Sequence, residues 1–155
     1  MSEKRDRKDL NDFLEQMEEK FGISGLAPEQ YSSLGLAYIV DAVYDMMIRT
    51  LVLGLGNGRV RNFHKITSSI VKAEAQAKLI QTILAELSEE ELAVYKRGRN
   101  TKSATSAKNA SIVDYRTATG LEALLGYLYL KHRMDRAMEL VKTGLEETGQ
   151  MPKHL

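Results

Sequence analysis

Residues Thr117 to Leu130 read Thr-Ala-Thr-Gly-Leu-Glu-Ala-Leu-Leu-Gly-Tyr-Leu-Tyr-Leu, with Glu122 as the single charge. A helix that is apolar on every side is a buried one, so the rest of the chain has to wrap it. The remaining segments are helical in pattern. Only Pro28 and Pro152 interrupt, and no run alternates apolar and polar residues over the length of a strand. The expected fold is all-α, a compact helical bundle. At 155 residues the chain is long enough for one domain with a real core.

The other helices follow from their periodicities. Leu10, Phe13, Leu14, Met17 and Phe21 mark an amphipathic N-terminal helix, expected as an extension over 1–22 ahead of a main domain over 28–150. Its first 20 residues carry seven acids and five bases. Pro28 suits the opening of the next turn. A second helix spans Leu34 to Leu53 and stops at Gly54-Leu55-Gly56-Asn57-Gly58. Phe63, Ile66, Ile70, Ala73, Ala77, Ile80, Leu84 and Leu87 give one or two further helices. Ser88 and Glu91 form a capping box that opens a helix to about Arg97. Gly98 to Tyr115 lacks periodicity and is expected to be a long loop, and Met134, Ala137, Met138, Val141 and Leu145 share one face of the last helix.

Composition excludes several chemistries. The chain has no Cys, so disulfide scaffolds, thiolate zinc sites and cysteine nucleophiles are out. With no basic-then-apolar leader at Met1, the expected location is cytoplasmic. A membrane span is excluded at Leu34–Leu53, because Asp41, Asp45 and Arg49 recur at steps of four along one stripe.

Two acids stand out. A lone carboxylate among apolar neighbours, as at Glu122, must be exposed, neutralised or bound to a cation. If the Asp41 stripe packs against the Glu122 face, two carboxylates converge, and such hard oxygen ligands suit Mg²⁺ or Mn²⁺. The alternative is a solvated edge with an Asp45–Arg49 ion pair. Periodicity leaves both open.

Net charge is only +1, yet its distribution is uneven. Between Tyr95 and Arg116, Lys96, Arg97, Arg99, Lys102, Lys108 and Arg116 face only Asp114, six bases against one acid for a net +5 over 22 residues. Gly98, Asn100 and Asn109 let the backbone follow an anion closely. Arg59, Arg61, His64 and Lys65 form a smaller basic cluster. Flexible, polar and basic is the footprint of a phosphate-binding surface, the plainer alternative being a solvated loop. His64 suits a surface or cap position better than a metal site, and His132 and His154 lack ligand spacing.

These segments carry a family resemblance. Leu36-Ala37-Tyr38-Ile39-Val40-Asp41-Ala42-Val43-Tyr44-Asp45 resembles the signature helix of the ribonuclease III catalytic domain. It is most similar to the Mini-III ribonucleases, which lack a double-stranded-RNA-binding module. His64-Lys65, Ala73-Glu74-Ala75-Gln76-Ala77, Lys96-Arg97-Gly98-Arg99-Asn100, Lys108-Asn109-Ala110, Tyr115-Arg116 and Thr119 to Tyr129 match that pattern in order and spacing, over roughly Leu34 to Leu145. The resemblance implies a homodimeric, all-helical, Mg²⁺-dependent endoribonuclease (Mn²⁺ as the alternative ion). It would act on double-stranded RNA, typically in large-subunit ribosomal RNA maturation, with a ribosomal protein on the precursor as a further expected partner.

By the same resemblance Asp41 and Glu122 are the catalytic, metal-binding carboxylates and Asp45 an outer-shell acid, where the family usually has Glu. Lys96, Arg97, Arg99, Asn100, Lys102, Lys108, Asn109, Arg116, His64 and Lys65 become the RNA contacts. Two further acids of full-length ribonucleases III fall here at Ala37 and Thr119, which leaves the coordination shell to be completed by water and phosphate. Val40 replaces the glycine that usually precedes the catalytic Asp, and Ala107 replaces a proline in the basic loop. Bulk beside Asp41 is expected to shift its carboxylate, and that raises one alternative, a catalytically weak or inactive RNA- or ribosome-binding protein on the same fold; a separate, plainer one is a helical interaction protein whose Glu122 is merely exposed.

Overall fold

The computed structural model describes residues 12–101 and 111–155, which form seven α-helices and two short 3-10 turns. They are α1 (Asp12–Phe21), α2 (Ser33–Leu53), α3 (Val60–Val71), α4 (Ala73–Ile83), α5 (Glu89–Arg99), α6 (Ile112–Leu130) and α7 (Met134–Glu147). Pro28–Gln30 and Leu84–Glu86 are the 3-10 turns. No strand occurs among the described residues, in agreement with the all-α expectation.

The helix that is apolar on every side is the axis of the bundle. From Thr117 to Leu128, every residue of α6 except Glu122 is buried. Helices α2, α5 and α4 pack directly on it, and α7 packs mainly on α4. α2 presents Leu36, Val40, Tyr44, Ile48 and Val52 to this core at regular steps of four. The stripe Asp41, Asp45, Arg49 runs one residue further round the same helix, so it emerges along the edge of the α2–α6 seam.

Close approach explains the glycines on α6. A Cβ on Gly126 would lie 2.2 Å from the carbonyl oxygen of Leu36 and 3.1 Å from Val40 Cγ2. Where α5 crosses α6, a Cβ on Gly98 would lie 2.8 Å from that of Ala123 and 3.0 Å from Gly120 Cα, and one on Gly120 would meet the Tyr95 ring at 2.7 Å. Backbones meet here with almost no side chain between them.

Capping decides the element ends. Ser88 Oγ accepts from Glu91 N at 3.1 Å and Ser88 N donates to Glu91 Oε1 at 2.9 Å, the capping box expected at the start of α5. Arg136 of α7 adds a fork that the local pattern does not reveal. Its Nε and Nη2 donate to the two Glu91 oxygens at 2.9 and 3.0 Å, and Nη2 also donates to the Glu86 carbonyl at 2.9 Å. This pairing holds the Glu91 carboxyl below its usual range.

Two expectations need correction, and one open alternative is decided. The segment Gly98 to Tyr115 is not all loop: α5 continues through Arg99, and α6 begins at Ile112, where Ser111 Oγ accepts from Asp114 N at 3.0 Å. The sequence hides that start because Ile112 and Val113 point outward, 63% and 67% exposed, so no buried periodicity accompanies the cap. The seam from Phe63 to Leu87 is two helices, broken at Lys72, whose extended backbone (φ −65°, ψ 153°) ends α3 and starts α4. Met138 is exposed, whereas Ala137, Val141 and Leu145 are buried as expected.

Candidate metal centre and nucleic-acid surface

Asp41 on α2 and Glu122 on α6 converge at the α2–α6 seam. They line one small cleft of about 120 Å³ together with Val40, Tyr44, Asp45, Val71 and Gln76. The Glu122 carboxyl lies within the electrostatic reach of Asp41. Burial first, then the neighbouring Asp41, push the Glu122 carboxyl up to about 9. A buried carboxyl beside a second carboxylate ionises only at a cost, so at neutral pH Glu122 keeps its proton unless a cation replaces it.

Asp45 accepts from Arg49 Nε at 2.6 Å, the ion pair expected from the i, i+4 spacing. It also borders the cleft, so the two alternatives drawn from the sequence hold together: Asp45 pairs at the rim while Asp41 faces Glu122. Thr119 adds no ligand, since its hydroxyl donates to Tyr115 O one turn back at 3.0 Å. Among the described residues no group of three or more His, Asp or Glu could enclose a metal. The donor set is two carboxylates with an acid at the rim, open on one side.

Val40 lines the cleft beside Asp41 and packs toward α6 as well. It is fully buried, and its Cγ2 packs at Gly126, where the missing side chain on α6 makes the room. The bulk gained on α2 is accommodated on α6.

Two cleft residues carry an unusual feature. The Tyr44 hydroxyl and the Gln76 amide oxygen are buried with no hydrogen-bond partner among the described residues, a state that ordinarily costs about 1–3 kcal/mol per group. Burial, and then the neighbouring Glu122, raise the Tyr44 pKa further above its ordinary value, so the phenol stays protonated. Both residues lie inside the quoted motifs, but spacing marked them only as part of an apolar face and an alanine-rich seam.

The basic residues lie outside the cleft. Lys96, Arg97, Asn100, Arg116, His64 and Lys65 are exposed, and none of the lysines and arginines among them has an ion-pair partner among the described residues. Arg99 is half-buried, with its guanidinium 5.7 Å from the centre of the Tyr95 ring and its Nε donating to Asn100 Oδ1 at 3.3 Å. The Gly98–Gly120 crossing sets this basic end of α5 against the part of α6 that carries Glu122. Lys65 borders a separate shallow depression with Asn62, Ile66, Ser69, His154 and Leu155. Lys102, Lys108, Asn109 and Ala107 lie outside the described residues.

Comparison with known proteins decides the family. The ribonuclease III domain matches residues 34–133, a span containing both carboxylates and the basic end of α5. The chain belongs to the ribonuclease III family. It is similar to the Mini-ribonuclease 3 of Clostridium tetani, 51% identical over 126 residues that cover 79% of this chain and 83% of the relative. The Mini-ribonuclease 3 of Enterococcus faecalis is 44% identical, covering 79% of this chain and 94% of the relative. A crystal structure of a Fusobacterium nucleatum protein superposes with a TM-score of 0.70 at 27% identity, over 76% of this chain and 91% of that one. The protein is an endoribonuclease of the Mini-III type with the ribonuclease III fold. α1 precedes the matched span, and among the described residues no helix is long and apolar enough to cross a membrane.

Proposed function

We propose that this endoribonuclease cleaves double-stranded RNA with a divalent cation held between Asp41 and Glu122. The observation that carries this reading is the convergence of the two carboxylates in one small cleft, where the charge of one raises the pKa of the other. A divalent cation held there would take the place of the Glu122 proton and leave that carboxyl charged. Mg²⁺ suits so thin a protein shell because it keeps several waters; Mn²⁺ is the alternative. When bound, such an ion lowers the pKa of a bound water and neutralises charge at the scissile phosphate.

The chain's own groups do the rest. Asp41 and Glu122 hold the ion and fix its place on the α2–α6 seam. Asp45, tied to Arg49, adds negative potential at the rim and accepts hydrogen bonds from water. Lys96, Arg97, Arg99, Asn100 and Arg116 bind backbone phosphates, joined by Lys102, Lys108 and Asn109 of the basic segment and by His64 and Lys65. Contacts of this kind read duplex shape rather than base sequence.

A homodimer fits the same face. Leu34, Tyr38 and Met46 of α2 are exposed beside the acidic stripe, and a second copy covering them would set two cleavage centres against one duplex. Large-subunit ribosomal RNA precursor as substrate, a ribosomal protein bound to it as partner, and a cytoplasmic location complete the reading, supported by the resemblance to Mini-III ribonucleases.

A labelled RNA duplex tests it. Mg²⁺-dependent cleavage should vanish in both Asp41→Asn and Glu122→Gln while duplex binding persists. Full activity in either variant, or equal cleavage in EDTA, overturns it.

A further inference from the structure

Four buried polar side-chain atoms lack a hydrogen-bond partner among the described residues, and two of them, Tyr44 Oη and Gln76 Oε1, belong to residues lining the carboxylate cleft. Tyr44 comes from α2, three residues after Asp41, and Gln76 from α4, so two different elements bring these residues to the lining of one cleft. Both residues are more than nine-tenths buried.

The orientation of Gln76 follows from chemistry. α3 ends at Lys72, which leaves the Val71 carbonyl without a helical donor, and Gln76 Nε2 donates to it at 2.7 Å. A carbonyl can only accept, so the amide nitrogen must face Val71 and the amide oxygen must face away from it. The backbone N–H of Gln76 donates to Lys72 O at 3.0 Å, fixing the residue at the first turn of α4. The break between α3 and α4 therefore does more than turn the chain. It pins the amide of a residue that lines the same cleft as the two carboxylates.

Neutral acceptors match a particular need. A cation held by two carboxylates keeps most of its hydration shell. Its waters are strong hydrogen-bond donors, and a cleft of this size has room for roughly four of them. Asp41 and Glu122 are engaged with the ion itself, and Asp45 with Arg49. Further carboxylates would raise the repulsion that already exists, whereas an amide oxygen and a phenol oxygen accept protons without adding charge.

We propose that Tyr44 and Gln76 are outer-sphere partners of the cation: the Gln76 amide oxygen and the Tyr44 hydroxyl accept hydrogen bonds from the waters of its shell and so set its position between Asp41 and Glu122. This rests on the metal site proposed above. Both are positioning residues, acting on the ion through water.

Mn²⁺ binding to the full chain, read from the spectrum of the free ion, separates the two ideas. Tyr44→Phe and Gln76→Met should each weaken Mn²⁺ affinity by roughly tenfold, the usual scale for an outer-shell partner. In EDTA, Tyr44→Phe should melt at or above the wild-type temperature, since it removes only an unpaired buried hydroxyl. That combination, weaker metal binding without loss of metal-free stability, is not produced by a packing role. Wild-type affinity in Tyr44→Phe and Gln76→Met, with binding lost in Asp41→Asn and Glu122→Gln, overturns the outer-sphere assignment and leaves the metal site standing. Undiminished affinity in Asp41→Asn and Glu122→Gln overturns the metal site itself.

Discussion

Replacing Glu122 by glutamine keeps the side-chain shape and removes the charge, and the metal-free protein should become more stable as a result. In the unfolded chain this carboxyl titrates near 4.5, whereas in the fold it is pushed up to about 9. Between those values the native state holds a proton that the unfolded state has lost. Stability therefore falls as pH rises, by about 1.4 kcal/mol per pH unit, and levels off above the folded value. At pH 7 the penalty is about 3 kcal/mol, and discounting for the partial exposure of the cleft brings it to roughly 2 kcal/mol. The glutamine side chain carries no such term and can still donate to Asp41. For a domain of this size the variant should melt roughly 4–8 °C above wild type at pH 7 in EDTA. The gap should close near pH 4.5 and be widest at pH 9, a comparison in which all other titrating groups cancel. Mg²⁺ should then raise the wild-type melting temperature by mass action and leave the variant unmoved. A variant that melts at or below wild type across this pH range would refute the claim that Glu122 is held against its charge.

Other changes separate function from framework. Alanine at Lys96, Arg97 or Arg116 should weaken duplex binding for any sequence and lower the salt slope by about one per residue, measured by filter binding at several ionic strengths. Arg136→Ala leaves the buried Glu91 carboxylate without its fork and should cost about 3 kcal/mol in urea melts, with cleavage retained below the new melting temperature. Val40→Gly should cost about 3 kcal/mol by emptying the space at Gly126, with the cleavage rate little changed because that valine already has room; a large rate gain would show that it displaces Asp41. Gly126→Ala places a Cβ against the Leu36 carbonyl and so pushes α2 from α6; a displacement on the order of 1 Å should lower cleavage about 100-fold.

Much of this organisation was legible in the chain. An all-apolar helix had to be central, and the charges at 41, 45 and 49 had to share a stripe. The meeting of Asp41 with Glu122 was not, because periodicity gives a face and not its partner; 81 residues separate the two, and it is packing, closest at Gly126, that brings α2 onto α6. The start of α6 was hidden by outward-facing Ile112 and Val113. Tyr44 and Gln76 escaped notice for a related reason: a tyrosine on a buried stripe and a glutamine among alanines look like core and helix filler. Their significance appears only as oxygens left unpaired. Family resemblance supplied the carboxylates and contained these two within its motifs without giving them a role.

The crossing of α5 over α6 at Gly98, Gly120 and Ala123 has a mechanical corollary. Side chains act as a compliant layer between most packed helices, and here that layer is missing. With the two backbones in direct approach, any sliding of Arg97 and Arg99 along α6 relative to Glu122 would have to part them first. Where one phosphate is gripped and where another is cut would then be a spacing written in peptide bonds, insensitive to rotamers and to the sequence of the duplex. Such a gauge favours a fixed cleavage offset over a broad spread of products.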